Sequence, residues 1–230
     1  MNSKSTYFNL ARKFNSKNKN KIINFKGWSG LHITKFLMSK KSTFDNYEID
    51  KKFPKLKGKE KIFIFTDKEI EFRFSNKVKK LSKFDSIDII TKKNFSFYSK
   101  EKNFFYMISS EKSKKFNNNI IYFNFLKDLK SRNLWGGQII SRPYEGKNLT
   151  LVLFDLKPGF KFEDKGHSNE QITWLIKGNM DFYSNSKKKK LCKDLGVSIG
   201  SKHLHGGTSK GAIGFDAFYP KRIEKKYRKN

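Results

Sequence analysis

Apolar residues in this chain come in short runs, not in stripes with helical spacing. Ile62-Phe63-Ile64-Phe65, Ile70–Phe74, Asp85–Ile90, Leu149–Leu156 and Ile172–Ile176 are rich in Ile, Val, Phe and Thr, and they alternate in part with polar residues. Clusters of Gly, Asn, Asp, Ser and Lys bound them, which is the pattern of strands separated by turns. No segment offers an apolar helical stripe of core length. The best helical candidate is the short stretch Phe125–Lys130.

The pattern is given twice. Trp28, Gly30 and Ile33 recur as Trp135, Gly137 and Ile140 at an offset of 107, which also carries Ser42-Thr43-Phe44 onto Leu149-Thr150-Leu151 and Tyr47-Glu48-Ile49 onto Phe154-Asp155-Leu156. From residue 59 the offset is 110, laying Lys59–Ile62 under Asn169–Ile172, Ile70-Glu71-Phe72 under Met180-Asp181-Phe182, and Ile87 and Ile89 under Val197 and Ile199. The two offsets imply a gap of three residues in the first copy between Phe53 and Lys59, opposite Phe160–Asn169. A duplicated set of short strands predicts an all-β protein of two tandem antiparallel barrels. Residues 1–22 are expected to form a basic flexible arm, 23–115 the first barrel and 116–230 the second, with a linker around Asn117-Asn118-Asn119.

Composition narrows the setting. A single cysteine, Cys192, excludes an intrachain disulfide and a cysteine-based zinc motif, and it suits a reducing, cytoplasmic compartment. No apolar run is long enough to predict a membrane-spanning helix. The net charge of +30 invites a nucleic-acid reading, but it rests on 45 Lys against 6 Arg spread over the whole chain. Forked recognition of phosphate and bases favours Arg. Solvated lysines are therefore the expectation, and nucleic acid is not an expected partner. The first acidic residue is Asp45, so the N-terminal segment is basic without the apolar core of a secretory signal.

Three of the four histidines fall in the second copy, at His167, His203 and His205. The segment from Pro158 to Gly178 resembles the first motif of the cupin superfamily: a Gly, a His-x-His pair, a third ligand and a closing Gly. Gly159 and Gly178 fit the ends, His167 the second His, and Gln171 the third-ligand position; Asn169-Glu170-Gln171 resembles the Glu-Gln variant of small bacterial cupins. Ile199–Gly206 stands where the second motif places its final His, and Phe218-Tyr219-Pro220-Lys221-Arg222 resembles the close of that subtype. Lys165 occupies the first His position.

The resemblance implies two cupin barrels (double-stranded β-helices, or jelly rolls), the N-terminal one degenerate and without a metal motif. It implies a divalent transition metal, Fe, Mn, Ni or Zn, in the C-terminal one. His167, Gln171 and His205 would hold the metal. His203, two residues from His205 on an expected strand, would replace the missing donor by sharing its face. Lys165, Glu170 and Glu163 are the candidate catalytic groups around a small, anionic substrate, although alternation puts Glu170 on the face opposite Gln171. His32 is expected to be structural. The competing expectations are a cupin that binds a sugar or organic acid without catalysis, and an electrostatic nucleic-acid binder. The resemblance also allows a homodimer.

Overall fold

The structure, a computed structural model, describes residues 5–11, 20–114, 118–184 and 187–222. Its first half comprises β1 (Thr6–Asn9), β2 (Lys21–Lys26), β3 (Leu31–Met38), β4 (Ser42–Asp45), α1 (Asn46–Lys52), β5 (Lys61–Phe65), β6 (Ile70–Phe74), β7 (Lys77–Leu81), β8 (Asp85–Ile90), β9 (Phe95–Ser99) and β10 (Asn103–Ser110). There follow β11 (Asn119–Asn124), β12 (Arg132–Leu134), β13 (Ile139–Glu145), β14 (Thr150–Leu156), β15 (Lys161–Asp164), β16 (Glu170–Ser184), β17 (Lys187–Cys192), β18 (Leu195–Ile199) and β19 (His205–Tyr219). The strand runs read from the sequence are strands. Phe125–Lys130 is a turn, and α1 is the α-helix among the described residues.

The chain divides into two compact units. One holds the described residues of 12–25 and 32–127, the other those of 1–11, 26–31 and 128–230. The first has a six-stranded sheet, β11-β8-β5-β10-β3-β2, and a four-stranded one, β4-β9-β6-β7. The second has nine strands in the order β1-β18-β16-β19-β14-β13-β12, with β15 on β19 and β17 on β16. Within the expected basic arm, Thr6–Asn9 forms a strand that pairs with β18 from Leu195 to Ser198. Residues 1–4 and 12–19 of that arm, and Asn117 of the expected linker, lie outside the described residues. Asn119, also placed in the linker, opens β11, which pairs with β8 in the first unit.

From β5 onward the two units correspond at the offset of 110. Ile70, Phe72, Leu81, Ile87 and Ile89 in the first core stand where Met180, Phe182, Leu191, Val197 and Ile199 stand in the second. Before β5 the correspondence differs from the one read in the sequence. Sheet order places β3 where the second unit has β14, and β4 pairs β9 as β15 pairs β19. Phe36, Met38 and Phe44 then match Phe154, Leu156 and Phe162, an offset of 118. The first copy is thus eight residues longer between β4 and β5, not three shorter, and Tyr47-Glu48-Ile49 lies in α1 instead of a strand.

Local chemistry explains that helix. Asp45 accepts from the Glu48 backbone N–H at 2.8 Å, and Glu48 accepts from that of Asp45 at 3.2 Å, a reciprocal cap that fixes the first turn. The helix buries Ile49, and the Asn46 side-chain oxygen accepts from the Phe95 N–H at 3.0 Å. It also brings Asp50 within 3.4 Å of the Lys61 ammonium, which donates to the Leu56 carbonyl at 2.8 Å. Lys61 is the counterpart of Gln171. The rest of this interior is rich in phenylalanine, with Phe36 stacked on Phe105 at 4.7 Å and Phe97 tilted against Phe63 and Phe105 at 4.8 and 4.9 Å.

In the second unit β16 and β19 run unbroken through the bend that interrupts their counterparts. A Cβ on Gly178, which has φ +74°, would lie 1.8 Å from the Gly211 carbonyl oxygen, so the two backbones cross at a distance only glycine permits. The matching positions in the first unit are Lys68 and Glu101, an exposed ion pair between broken strands. The edge strands β7 and β17 carry Lys77, Lys79 and Lys80, and Lys187, Lys189 and Lys190, all exposed. Lysines in such positions discourage edge-to-edge pairing.

Candidate metal centre

Asp164 closes β15 and His205 opens β19, and the strand register sets them directly opposite each other. His167 follows in a tight loop where the Lys202 N–H donates to the His167 carbonyl at 2.6 Å, and the Gly166 N–H donates to Asp164 Oδ1 at 2.8 Å. Ligand atoms of Asp164, His167 and His205 all lie within 4.8 Å of one another. The two imidazoles meet edge to face, their centroids 5.6 Å apart, and both are buried.

Hydrogen bonds decide which nitrogens are free. His205 Nδ1 donates to the His203 carbonyl oxygen at 2.8 Å, leaving a lone pair on Nε2. His167 Nε2 lies 2.8 Å from Gln171 Oε1, an acceptor, so the proton sits on Nε2 and the lone pair on Nδ1. That Nδ1 is buried without a hydrogen-bond partner. Gln171 is itself oriented: its amide nitrogen donates to Thr173 Oγ1 at 2.8 Å and to Asp216 Oδ1 at 3.0 Å, while the Thr173 hydroxyl donates to Asp216 at 2.6 Å. Burial pushes both histidines below their ordinary range; for His167 the Gln171 bond opposes that shift, and for His205 the backbone bond to His203 does. Two neutral imidazoles with one carboxylate form a donor set suited to a divalent transition metal. An unpartnered, buried lone pair is what such an ion would satisfy, so the residues fit it.

Asp164 and His205 of the cluster line a cavity of about 210 Å³, with residues of β12, β13, β14, β15, β16 and β19. Asp164, Gln171 and His205 face it together with Thr173, Asp216 and Arg222. The guanidinium of Arg222 lies over the Phe218 ring, 4.8 Å from its centre.

The residues expected from the sequence separate into two groups. His167, Gln171 and His205 come together. His203 precedes β19 instead of lying on it, its ring Nδ1 against the Ser201 carbonyl at 2.9 Å, and it is not part of the cavity wall. Lys165 is exposed and outside that wall. Glu163 stands exposed at the cavity rim and accepts from the Tyr183 hydroxyl at 2.8 Å. Glu170 is buried on the other face of β16, accepting from the Ser29 N–H at 2.9 Å and the Ser198 hydroxyl at 3.3 Å. Asp164 was not among the expected ligands. The signal was present: Phe160, Phe162 and Asp164 share one parity, and the first two are apolar. His32 is buried between Asn24 and Glu111, 3.3 and 3.2 Å from its ring nitrogens.

No protein-family model and no curated protein sequence matches the chain. Solved structures do. A cupin 2 conserved barrel domain protein from Leptotrichia buccalis superposes with a TM-score of 0.66 at 14% identity, covering 93% of this chain and 96% of its own. The Ylba protein of E. coli, of the DUF861 type, gives 0.72 at 9% identity over 96% and 93%. The oxalate decarboxylase of Lactobacillus farciminis, solved as a formate complex, gives 0.65 at 8% over 96% and 89%. At these identities the likeness establishes the fold: the chain is all-β with the jelly roll of cupin-type proteins. No helix among the described residues is long and apolar enough to cross a membrane.

Proposed function

We propose that the chain is a cytoplasmic bicupin in which the second barrel binds one divalent transition metal and acts as an enzyme on a small molecule held in the cavity, while the first barrel serves as scaffold. The observation that carries this reading is the Asp164–His167–His205 cluster, with its two neutral imidazoles and one buried, unpartnered nitrogen, at the wall of a cavity.

Asp164, His167 and His205 would hold the ion, which would supply Lewis acidity toward an oxygen of the substrate. Gln171 positions His167 by accepting its proton-bearing nitrogen, and Thr173 and Asp216 hold Gln171 in that orientation. The His203 carbonyl does the same for His205. Glu163, which accepts from the Tyr183 hydroxyl at the rim, would take a proton from an entering substrate. In the first barrel the Lys61–Asp50 pair and packed phenylalanine occupy the corresponding interior, which favours a scaffold role.

Binding of metal to the native state alone raises thermal stability by mass action. Zn(II) or Mn(II) added to metal-free protein is expected to raise Tm in the parent and not in His167→Ala or His205→Ala. An equal rise in all three would place the ion elsewhere and overturn the assignment.

A further inference from the structure

Ring contacts run without a break from the surface of the second barrel to the metal cluster. Trp135, 66% exposed, lies 5.5 Å from Phe160. Phe160 stacks on Phe162 at 6.2 Å, Phe162 packs on Phe182 at 6.3 Å, and Phe182 stacks on the His205 imidazole at 6.1 Å. Trp135, Phe162, Phe182 and His205 face the cavity, and Phe154 and Phe218 add two more rings. Such rings offer edge and face contacts to another ring.

Size and charge narrow the occupant. An apolar cavity of about 150 Å³ accommodates benzene, so 210 Å³ takes one ring with a small substituent. Asp164 and Asp216 line this space with a single cationic side chain, Arg222, whereas the Glu163 carboxylate turns to the Tyr183 hydroxyl. In the metal-free protein two carboxylates against one guanidinium leave a net negative charge, which disfavours a free anion and favours a neutral group that donates a hydrogen bond.

We propose that the cavity binds a monocyclic phenol, its ring against Phe154, Phe162, Phe182 and Phe218 and its hydroxyl toward the Asp164–His167–His205 cluster. This deepens the metal-site reading, on which only the placement of the hydroxyl rests, and it replaces the anionic substrate expected from the sequence with a neutral aromatic one.

Calorimetric titration of zinc-loaded and metal-free protein with phenol, benzoate and succinate tests it. Phenol is expected to bind about ten-fold more tightly than either carboxylate in the metal-free protein, the step that ring packing and like-charge repulsion together allow. Trp135→Ala, at an exposed position that leaves the core intact, is expected to weaken phenol about three-fold. Succinate or benzoate binding as tightly as phenol overturns the proposal. Zinc retained without any preference for phenol overturns it while leaving the metal site standing. Phenol preferred by a protein that retains no zinc supports the ring site and removes the metal reading alone.

Discussion

The ring of His205 is held by the backbone of His203, whose carbonyl oxygen accepts its Nδ1 proton at 2.8 Å. The bond needs only the main chain of residue 203, and the His203 imidazole itself turns to the Ser201 carbonyl. His203→Ala is therefore expected to keep its metal and its Tm, whereas His205→Ala loses the metal. Metal analysis of the two purified variants checks this. Loss of metal in His203→Ala would make that imidazole a ligand after all.

Glu170 has the address of a catalytic carboxylate and the surroundings of a structural one. Its two oxygens accept from Ser29 and Ser198, and a Cβ on Gly27 would lie 2.0 Å from one of them. Glu170→Ala leaves a backbone N–H and a hydroxyl without that acceptor, at a cost of about 1–3 kcal/mol. Urea unfolding is expected to show this loss, with metal content unchanged.

Acid should weaken the metal-free protein through its two buried imidazoles. An unfolded histidine titrates near about 6.5, and burial holds His167 and His205 lower in the native state. Between those values the unfolded chain binds more protons, so stability falls as pH drops below about 6.5 and levels off once the buried rings protonate. Thermal melts of the metal-free protein at descending pH are expected to follow that course. The double variant His167→Ala/His205→Ala should lose less Tm over the same interval.

Lys61 tests the first barrel. Burial pushes its ammonium below the ordinary lysine range, and Asp50 opposes the shift. Lys61→Met strands the Asp50 carboxylate and is expected to cost about 2–3 kcal/mol, discounted from a fully buried pair because Asp50 keeps some contact with water. Removing both charges, in Lys61→Met with Asp50→Leu, is expected to recover most of that loss in denaturant unfolding.

Strand content was legible in the sequence because it depends on local pattern, and so were the core faces that repeat at an offset of 110. Ile70 and Phe72 against Met180 and Phe182 is a match of core faces, and core faces repeat. The offset before β5 differs because Trp28 and Trp135, the most conspicuous pair, lie in turns that do not correspond, β2–β3 and β12–β13. Asp45-Asn46-Tyr47-Glu48 carried the cap signal of α1, but a seven-residue helix is too short to show an apolar stripe. Asp164 was hidden by its neighbours: Lys165 stood at the family position and Glu163 offered a carboxylate. Parity put Asp164 on the face of Phe160 and Phe162, and the pairing of β15 with β19 sets it opposite His205.

Metal content by mass spectrometry decides whether Asp164, His167 and His205 hold one metal ion. After reconstitution with Fe(II), Mn(II), Ni(II) or Zn(II), the parent and Lys165→Ala are expected to retain one equivalent of metal. Asp164→Asn, His167→Ala and His205→Ala should fall well below that. A parent that retains no metal, or an Asp164→Asn variant that retains as much as the parent, would rule out this three-residue site.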